Sequence, residues 1–92
     1  MLFSVHEAEF YNLNTDRFIA TIQAESQFNQ NAVGDHGTSI GVVQIHLPAH
    51  PDITKDEALD PFLSIAWMAK EWSLGREDEW STYVRMFGDD TS

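Results

Sequence analysis

The clearest periodic pattern of apolar residues lies in the segment from Asp16 to Ser26. Phe18, Ile22 and Glu25 follow the three-and-four spacing that places side chains on one face of a helix. We therefore expect an amphipathic helix whose apolar stripe carries one acid. Loss of hydration on that stripe should raise the pKa of the Glu25 carboxyl. A glutamate at the helix end could equally bend out into solvent, and the segment alone does not decide between the two.

Turn-forming and helix-breaking residues divide the rest of the chain into short elements. Asn, Gly, Asp and Ser fill residues 29–41, and two prolines bar regular structure from residues 47–52. Helices are expected over residues 3–12, from Thr54, from Pro61 to about Gly75, and over 77–86, with an extended segment or hairpin over 39–46. The expected N-caps are Asn14 or Thr15 for the first pattern, then Thr54 and Asp60.

Three of these elements come with expected faces. The buried side of the Pro61 helix should carry Phe62, Ile65, Ala66 and Ala69. The buried side of the last helix should carry Trp80, Tyr83, Val84 and Phe87. Alternation along the extended segment would place Val42, Gln44 and His46 on one side and Val43 and Ile45 on the other.

Composition indicates a single globular domain spanning residues 1–92. Apolar residues make up 42% of the 92 positions, which is typical of a folded chain. A chain of this length buries only about 60–65% of its unfolded surface, so the core should be modest. The absence of cysteine excludes a disulfide framework. Several helices with one short extended segment predict a mainly α (α+β) fold class.

The charge balance excludes one class of partner. A net charge of −10 with only five Lys and Arg residues argues against nucleic-acid binding, which needs clustered basic side chains.

No apolar run approaches the roughly 20 residues of a membrane span. The N-terminal residues have neither the basic nor the apolar region of a signal peptide.

Two linked motifs carry a family resemblance. Glu25-Ser26-Gln27-Phe28-Asn29 is followed by a glycine-rich stretch that ends in Gly41-Val42-Val43-Gln44-Ile45. In this order they resemble the catalytic-Glu segment and the G-L-M-Q-I element of soluble lytic transglycosylases and goose-type lysozymes, the SLT-domain family. The resemblance implies a lysozyme-like fold, in which helices surround a short β segment that flanks the active-site cleft.

The resemblance is good over residues 16–46 and thinner from there to Phe87. Leu59 to Ala66 is similar to the family's D-P-x-x-N-I segment, with Ser64 in place of Asn. Trp80 to Tyr83 is similar to its A-x-A-Y-N motif, but no Asn follows Tyr83.

The resemblance implies a catalytic role for Glu25, because a protonated carboxylic acid is what glycosidic cleavage requires of its general acid. A lytic transglycosylase needs no second carboxylate, whereas a lysozyme-type hydrolase does. Asp35 is the best candidate for that second acid, although Asp is also favoured in a turn such as Gly34-Asp35-His36-Gly37 for its backbone hydrogen bonds. Asp52 is a weaker candidate.

Four further residues are candidates for substrate binding. Gln44 has both amide donors and an acceptor for a saccharide, or it is a plain hairpin amide. Ser26 and Ser39 can bind substrate or bond to nearby backbone. Tyr83 matches the family's Tyr, which hydrogen-bonds the catalytic Glu or a sugar, and is equally explained as a core aromatic.

The sequence does not favour a metal site at His46, His50 and Asp52. Their spacing does not match a helical His pair, and Pro48 interrupts the segment. We expect no metal and no cofactor. The tryptophans are interpreted as core residues.

The favoured function is cleavage of the β-1,4 bond between N-acetylmuramic acid and N-acetylglucosamine in peptidoglycan by a monomeric lytic transglycosylase. Alternatives are a lysozyme-type hydrolase using Glu25 and Asp35, action on chitin-like oligosaccharides, and a non-catalytic glycan-binding or structural module. The enzyme would act on cell walls or outside the cell, either phage-encoded or released by another route. The acidity of the chain counts against an autonomous wall lysin, because the wall is anionic.

Overall fold

The computed structural model describes residues 2–34 and 37–88. Within these ranges the chain is mainly helical with a small antiparallel sheet, which confirms the mainly α (α+β) fold class. The elements, in chain order, are α1 (Leu2–Phe10), α2 (Thr15–Ser26), β1 (Val33–Gly34), β2 (Ser39–Ile40), β3 (Ile45–His46), a 3₁₀ helix (Leu47–Ala49), α3 (Lys55–Leu59), α4 (Pro61–Ser73), a second 3₁₀ helix (Glu77–Glu79) and α5 (Ser81–Phe87).

The helix N-termini follow the local sequence signals. Asn14 caps α2 by accepting a hydrogen bond from the backbone N–H of Arg17 at 3.1 Å. Thr54 and Glu57 form the reciprocal capping box at α3, with bonds of 2.9 and 3.1 Å. The Asp60 side chain accepts from two backbone N–H groups in the first turn of α4, which confirms its expected role as N-cap.

The three short strands form one antiparallel sheet in the order β1-β2-β3. The predicted hairpin is confirmed, with Ser39 opposite His46 and Ile40 opposite Ile45. The predicted alternation of faces is wrong, because residues 41–44 form the turn between β2 and β3. Val42 and Val43 are both buried in this turn, which packs into the core as a unit rather than presenting two sides of a strand.

The core lies between α2, the 41–44 turn, α4 and α5. Its fully buried side chains include Phe18, Ile22, Val43 and Met68, each 0% exposed. Trp72 of α4 packs edge-on against Phe18, with ring centroids 5.1 Å apart. The radius of gyration is 12.1 Å, which matches the roughly 12 Å of a compact domain of this length.

The predicted single helix over residues 77–86 is wrong. A 3₁₀ helix, Glu77–Glu79, precedes α5, and Trp80 between them has extended backbone with φ −96° and ψ 109°. This break lets the Trp80 indole enter the core, where its Nε1 donates to the carbonyl oxygen of Val43 at 2.8 Å. On α5, Val84 is 47% exposed, so its expected burial is wrong.

Phe62 is also outside its expected environment, since it is 61% exposed. It lies in the first turn of α4, beyond the stripe of Ile65, Met68 and Ala69 that faces the core. There its ring packs edge-on against Phe3 of α1, with ring centroids 5.1 Å apart.

Across residues 2–34 and 37–88, the helices fall short of the length and apolar character that crossing a bilayer demands.

Candidate active site

Glu25 lies in the last turn of α2, at the outer end of the stripe formed by Phe18 and Ile22. Those two side chains are fully buried, whereas Glu25 is half-buried, so the shared face predicted from the sequence is confirmed and Glu25 marks its edge. The Oγ1 hydroxyl of Thr82 donates a hydrogen bond to Oε1 of Glu25 at 2.7 Å. Thr82 belongs to α5 and is only 7% exposed, so this contact holds the carboxyl group at the helix–helix boundary.

Two further hydrogen bonds fix the neighbourhood of this contact. The Ser26 hydroxyl donates to the carbonyl oxygen of Val42 at 2.5 Å, tying the end of α2 to the 41–44 turn. The Trp80 indole donates to the adjacent carbonyl oxygen, that of Val43, tying the same turn to the start of α5. With the Thr82–Glu25 bond, these contacts form a closed three-way junction of α2, the turn and α5.

Thr82 is chemically suited to a carboxyl group that changes its protonation state. A hydroxyl offers one donor and two acceptor lone pairs, and its hydrogen rotates to suit the partner. It can therefore donate to the Glu25 carboxylate or accept from the protonated acid without moving. A general acid that later acts as a base passes through both states, and this neighbour accommodates each of them.

Gln44 closes the 41–44 turn. Its side-chain Nε2 donates to the carbonyl oxygens of Ala32, at 3.0 Å, and Gly41, at 2.8 Å, so both amide hydrogens are engaged by backbone. Its Oε1 lies against Gly34, where an added Cβ would approach it to 2.6 Å. Gln44 thus ties the residue before β1 to the turn, and its contact with a saccharide stays a prediction.

Ser39 and Tyr83 are both buried, at 4% and 8% exposure. Ser39 lies in β2 beside the turn. The Tyr83 hydroxyl accepts a long hydrogen bond from Nη1 of Arg17 at 3.4 Å, and its ring packs against Trp72 with centroids 5.0 Å apart. The α5 residue that bonds Glu25 is therefore Thr82, one position before the residue that the family resemblance indicated.

The two candidate second acids have different outcomes. Asp35 lies outside the described residues. Asp52 is exposed in the segment before α3, where it lines a concave surface with Trp67 and Lys70. Trp67 and Lys70 belong to α4 and lie outside the junction that contains Glu25.

Sequence reasoning missed Thr82. A signal was present, because a polar residue between Trp80 and Tyr83, both expected to be buried, needs a hydrogen-bond partner in the interior. The identity of that partner was not readable, since Glu25 is 57 residues away along the chain.

A second group of side chains, of the kinds that bind metal ions, lies elsewhere in the fold. One donor atom each from His50, Glu71 and Glu79 lie within 4.8 Å of one another. This set shares only His50 with the trio considered from the sequence. None of the three residues takes part in the junction around Glu25.

Comparisons of the chain with protein-family models, with curated proteins and with solved structures found no match.

Proposed function

We propose that this chain cleaves the β-1,4 bond between N-acetylmuramic acid and N-acetylglucosamine in peptidoglycan, with Glu25 as general acid and base. We further propose that the helices have a lysozyme-like arrangement. The enzyme would act on its substrate at the cell wall. Peptidoglycan strands are its proposed partner.

One observation carries the proposal: the two motifs that resemble the transglycosylase family are in direct contact. Ser26, beside Glu25, donates to Val42 of the glycine-rich element at 2.5 Å, although the two residues are 16 positions apart. A chance match of two short segments gives no reason for them to meet in space. Their contact, together with Thr82 on the carboxyl group, supports a single site.

The chemistry follows from one carboxyl group. Glu25 donates its proton to the glycosidic oxygen, the bond to C1 of N-acetylmuramic acid breaks, and the acetamido oxygen of the substrate stabilises the positive charge at C1. The Glu25 carboxylate then takes the proton of the C6 hydroxyl, whose oxygen bonds to C1. Glu25 ends protonated as it began, and the products are a free 4-hydroxyl and a 1,6-anhydro sugar.

The hydrolytic alternative adds a water molecule in place of the C6 hydroxyl. It would use Asp35 to position that water or to stabilise the cation, with carboxyl separations of about 6.5–9.5 Å for inversion and about 5–5.5 Å for retention.

A non-catalytic glycan-binding or structural module is the second candidate, and a specific observation favours it. The amide hydrogens of Gln44 and the hydroxyl of Tyr83 bond to protein groups, so these predicted sugar contacts already have structural partners. In this case Glu25 would serve the fold rather than the reaction.

Zymography on purified murein separates the two classes. Wild type and Glu25→Gln are compared with Glu9→Gln, a matched change at an exposed glutamate of α1. We expect clearing by wild type and Glu9→Gln and none by Glu25→Gln. Equal clearing by all three, or none by wild type, contradicts the enzymatic proposal.

Mass analysis of the released fragments then distinguishes the two reactions. Anhydro ends weigh one water less than reducing ends. Reducing ends that disappear in Asp35→Asn would establish the hydrolase and exclude the transglycosylase.

A further inference from the structure

Three segments bring metal-ligating side chains together on the side of the molecule formed by α4 and the second 3₁₀ helix. His50 directly follows the first 3₁₀ helix, Glu71 lies on α4, and Glu79 ends the second 3₁₀ helix. The donor atoms of all three lie within 4.8 Å of one another.

The distances suit a small divalent ion. Metal–ligand bonds of about 2.1 Å in tetrahedral geometry place ligand atoms about 3.4 Å apart. Nε2 of His50 and Oε2 of Glu79 are already 3.4 Å apart. Closing the remaining separations requires a shift of the order of 1 Å, which is within the reach of glutamate side chains.

Neighbouring side chains orient two of the ligands. Arg76 binds one oxygen of Glu71, its Oε2, through Nη1 at 2.9 Å, and a carboxylate has a second oxygen to offer. The His50 ring packs edge-on against Trp67, with centroids 4.7 Å apart. Both ligands are mostly buried, with side-chain exposures of 16% for His50 and 11% for Glu71, so they are held in place before an ion arrives.

The local charge also favours a cation. Two carboxylates lie at this site, with Arg76 paired to Glu71, and the chain as a whole carries a net charge of −10. Burial raises the pKa of Glu79, His50 lowers it, and the neighbouring Glu71 raises it. A bound divalent ion would offset the repulsion between the two carboxylates.

We propose that His50, Glu71 and Glu79 bind one first-row transition-metal ion, with Zn²⁺ as the probe, and that the ion links the segment after β3, α4 and the segment before α5. One imidazole nitrogen with two carboxylate oxygens is a donor set that Zn²⁺ accepts, leaving a fourth position for water. In a chain without cysteines, such a link would supply the cross-connection that a disulfide supplies elsewhere.

The test is calorimetric titration of Zn²⁺ into EDTA-treated full-length protein at neutral pH. Wild type should bind one equivalent, and His50→Gln and Glu79→Gln should each weaken binding by at least about tenfold. His46→Gln removes an exposed histidine of β3 and is the matched control, with unchanged affinity expected. Wild-type tryptophan emission should change on binding, since Trp67 contacts His50.

A thermal measurement covers the case in which a variant folds poorly. Zn²⁺ should raise the Tm of wild type and of His46→Gln by mass action, and raise it less for whichever of the two ligand variants is folded by circular dichroism. Absence of saturable binding by wild type, equal affinity in the ligand variants, or displacement of Zn²⁺ by equimolar Ca²⁺ would each overturn the proposal. Displacement by Ca²⁺ would indicate a site that uses oxygen ligands alone.

Discussion

Replacing Gly41 by alanine should destabilise the fold through a steric contact that the glycine avoids. Gly41 has φ +86°, and a Cβ built on it would lie 2.1 Å from the carbonyl oxygen of Ala58 in α3. Gly75 provides a matched control, because it has a similar φ of +80° and an added Cβ would meet nothing within 4 Å. Both substitutions force a left-handed backbone on alanine, and only one adds the clash.

The magnitude of each effect follows from these distances. The left-handed conformation costs alanine about 1–2 kcal/mol, which is the whole expected loss for Gly75→Ala. An ordinary carbon–oxygen contact is about 3.3 Å, so in Gly41→Ala the turn and α3 must separate by more than about 1 Å. Overpacking of this kind adds about 1–3 kcal/mol, for a total of about 2–5 kcal/mol. A domain of this length has only about 5–14 kcal/mol of stability in all.

Urea unfolding followed by tryptophan fluorescence measures both variants. The free energy of unfolding should fall further for Gly41→Ala than for Gly75→Ala, with similar m-values. Val42 and Val43 follow Gly41 directly, and their carbonyl oxygens accept the hydrogen bonds from Ser26 and Trp80. A shift of the turn in Gly41→Ala should disturb these bonds, so murein clearing should fall as well. Equal destabilisation of the two variants would refute the steric argument.

Three other outcomes are expected. Thr82→Val should lower the free energy of unfolding by about 1.5–3 kcal/mol and slow murein clearing, because it removes the donor to the Glu25 carboxyl. Thr82→Ser keeps the hydroxyl and should retain both the stability and the clearing rate of wild type. Equal effects of the two changes would contradict this role of the hydroxyl. Thr54→Ala should cost about 0.5–2 kcal/mol in urea unfolding through loss of the α3 cap, and an unchanged midpoint would count against the cap. Burial raises the pKa of Glu79 above 4.5 in the fold, so its favourable contribution is complete below that value and is lost as pH rises through the folded pKa. In metal-free buffer the Tm difference between Glu79→Gln and wild type should therefore grow in favour of the variant as pH rises from 4 to 7, and a constant difference would contradict the assignment.

The helix starts were predictable because their signals are local. The caps at Asn14, Thr54 and Asp60 each join a side chain to a backbone N–H two or three residues ahead. A short stretch of sequence contains both partners of such a bond. The amphipathic stripe of α2 was readable for the same reason, since its period spans a single helix.

The errors arose where a distant partner decides the local conformation. Trp80 interrupts the expected last helix because its indole bonds Val43, 37 positions earlier in the chain. Val42 and Val43 lie in a turn, and both are buried because that turn packs as a unit against the core. Helical spacing and strand alternation are local patterns, so they do not indicate such contacts.

The candidate site was predictable only in part, for the same physical reason. Glu25 and Ser26 could be singled out from their segment, and their family resemblance pointed ahead to the glycine-rich element. The contact with Thr82 could not be found, because it depends on how α5 is placed by the Trp80 bond to the turn. The group of His50, Glu71 and Glu79 likewise comes from three segments whose packing the sequence pattern does not reveal.

The stability of Glu25→Gln tells whether Glu25 serves chemistry or the fold. The glutamine side chain keeps an oxygen that can accept the Thr82 hydrogen bond, so this contact survives the loss of charge. A half-buried acid kept for catalysis is retained at some expense in stability, and its neutral isostere should unfold at the same or a higher urea concentration. A structural glutamate would behave in the opposite way, because hydrogen bonds to charged groups are worth about 1.5–3 kcal/mol and the neutral amide would forfeit part of that. Full stability with loss of murein clearing therefore supports the enzyme, and a loss of stability comparable to that of Thr82→Val contradicts it.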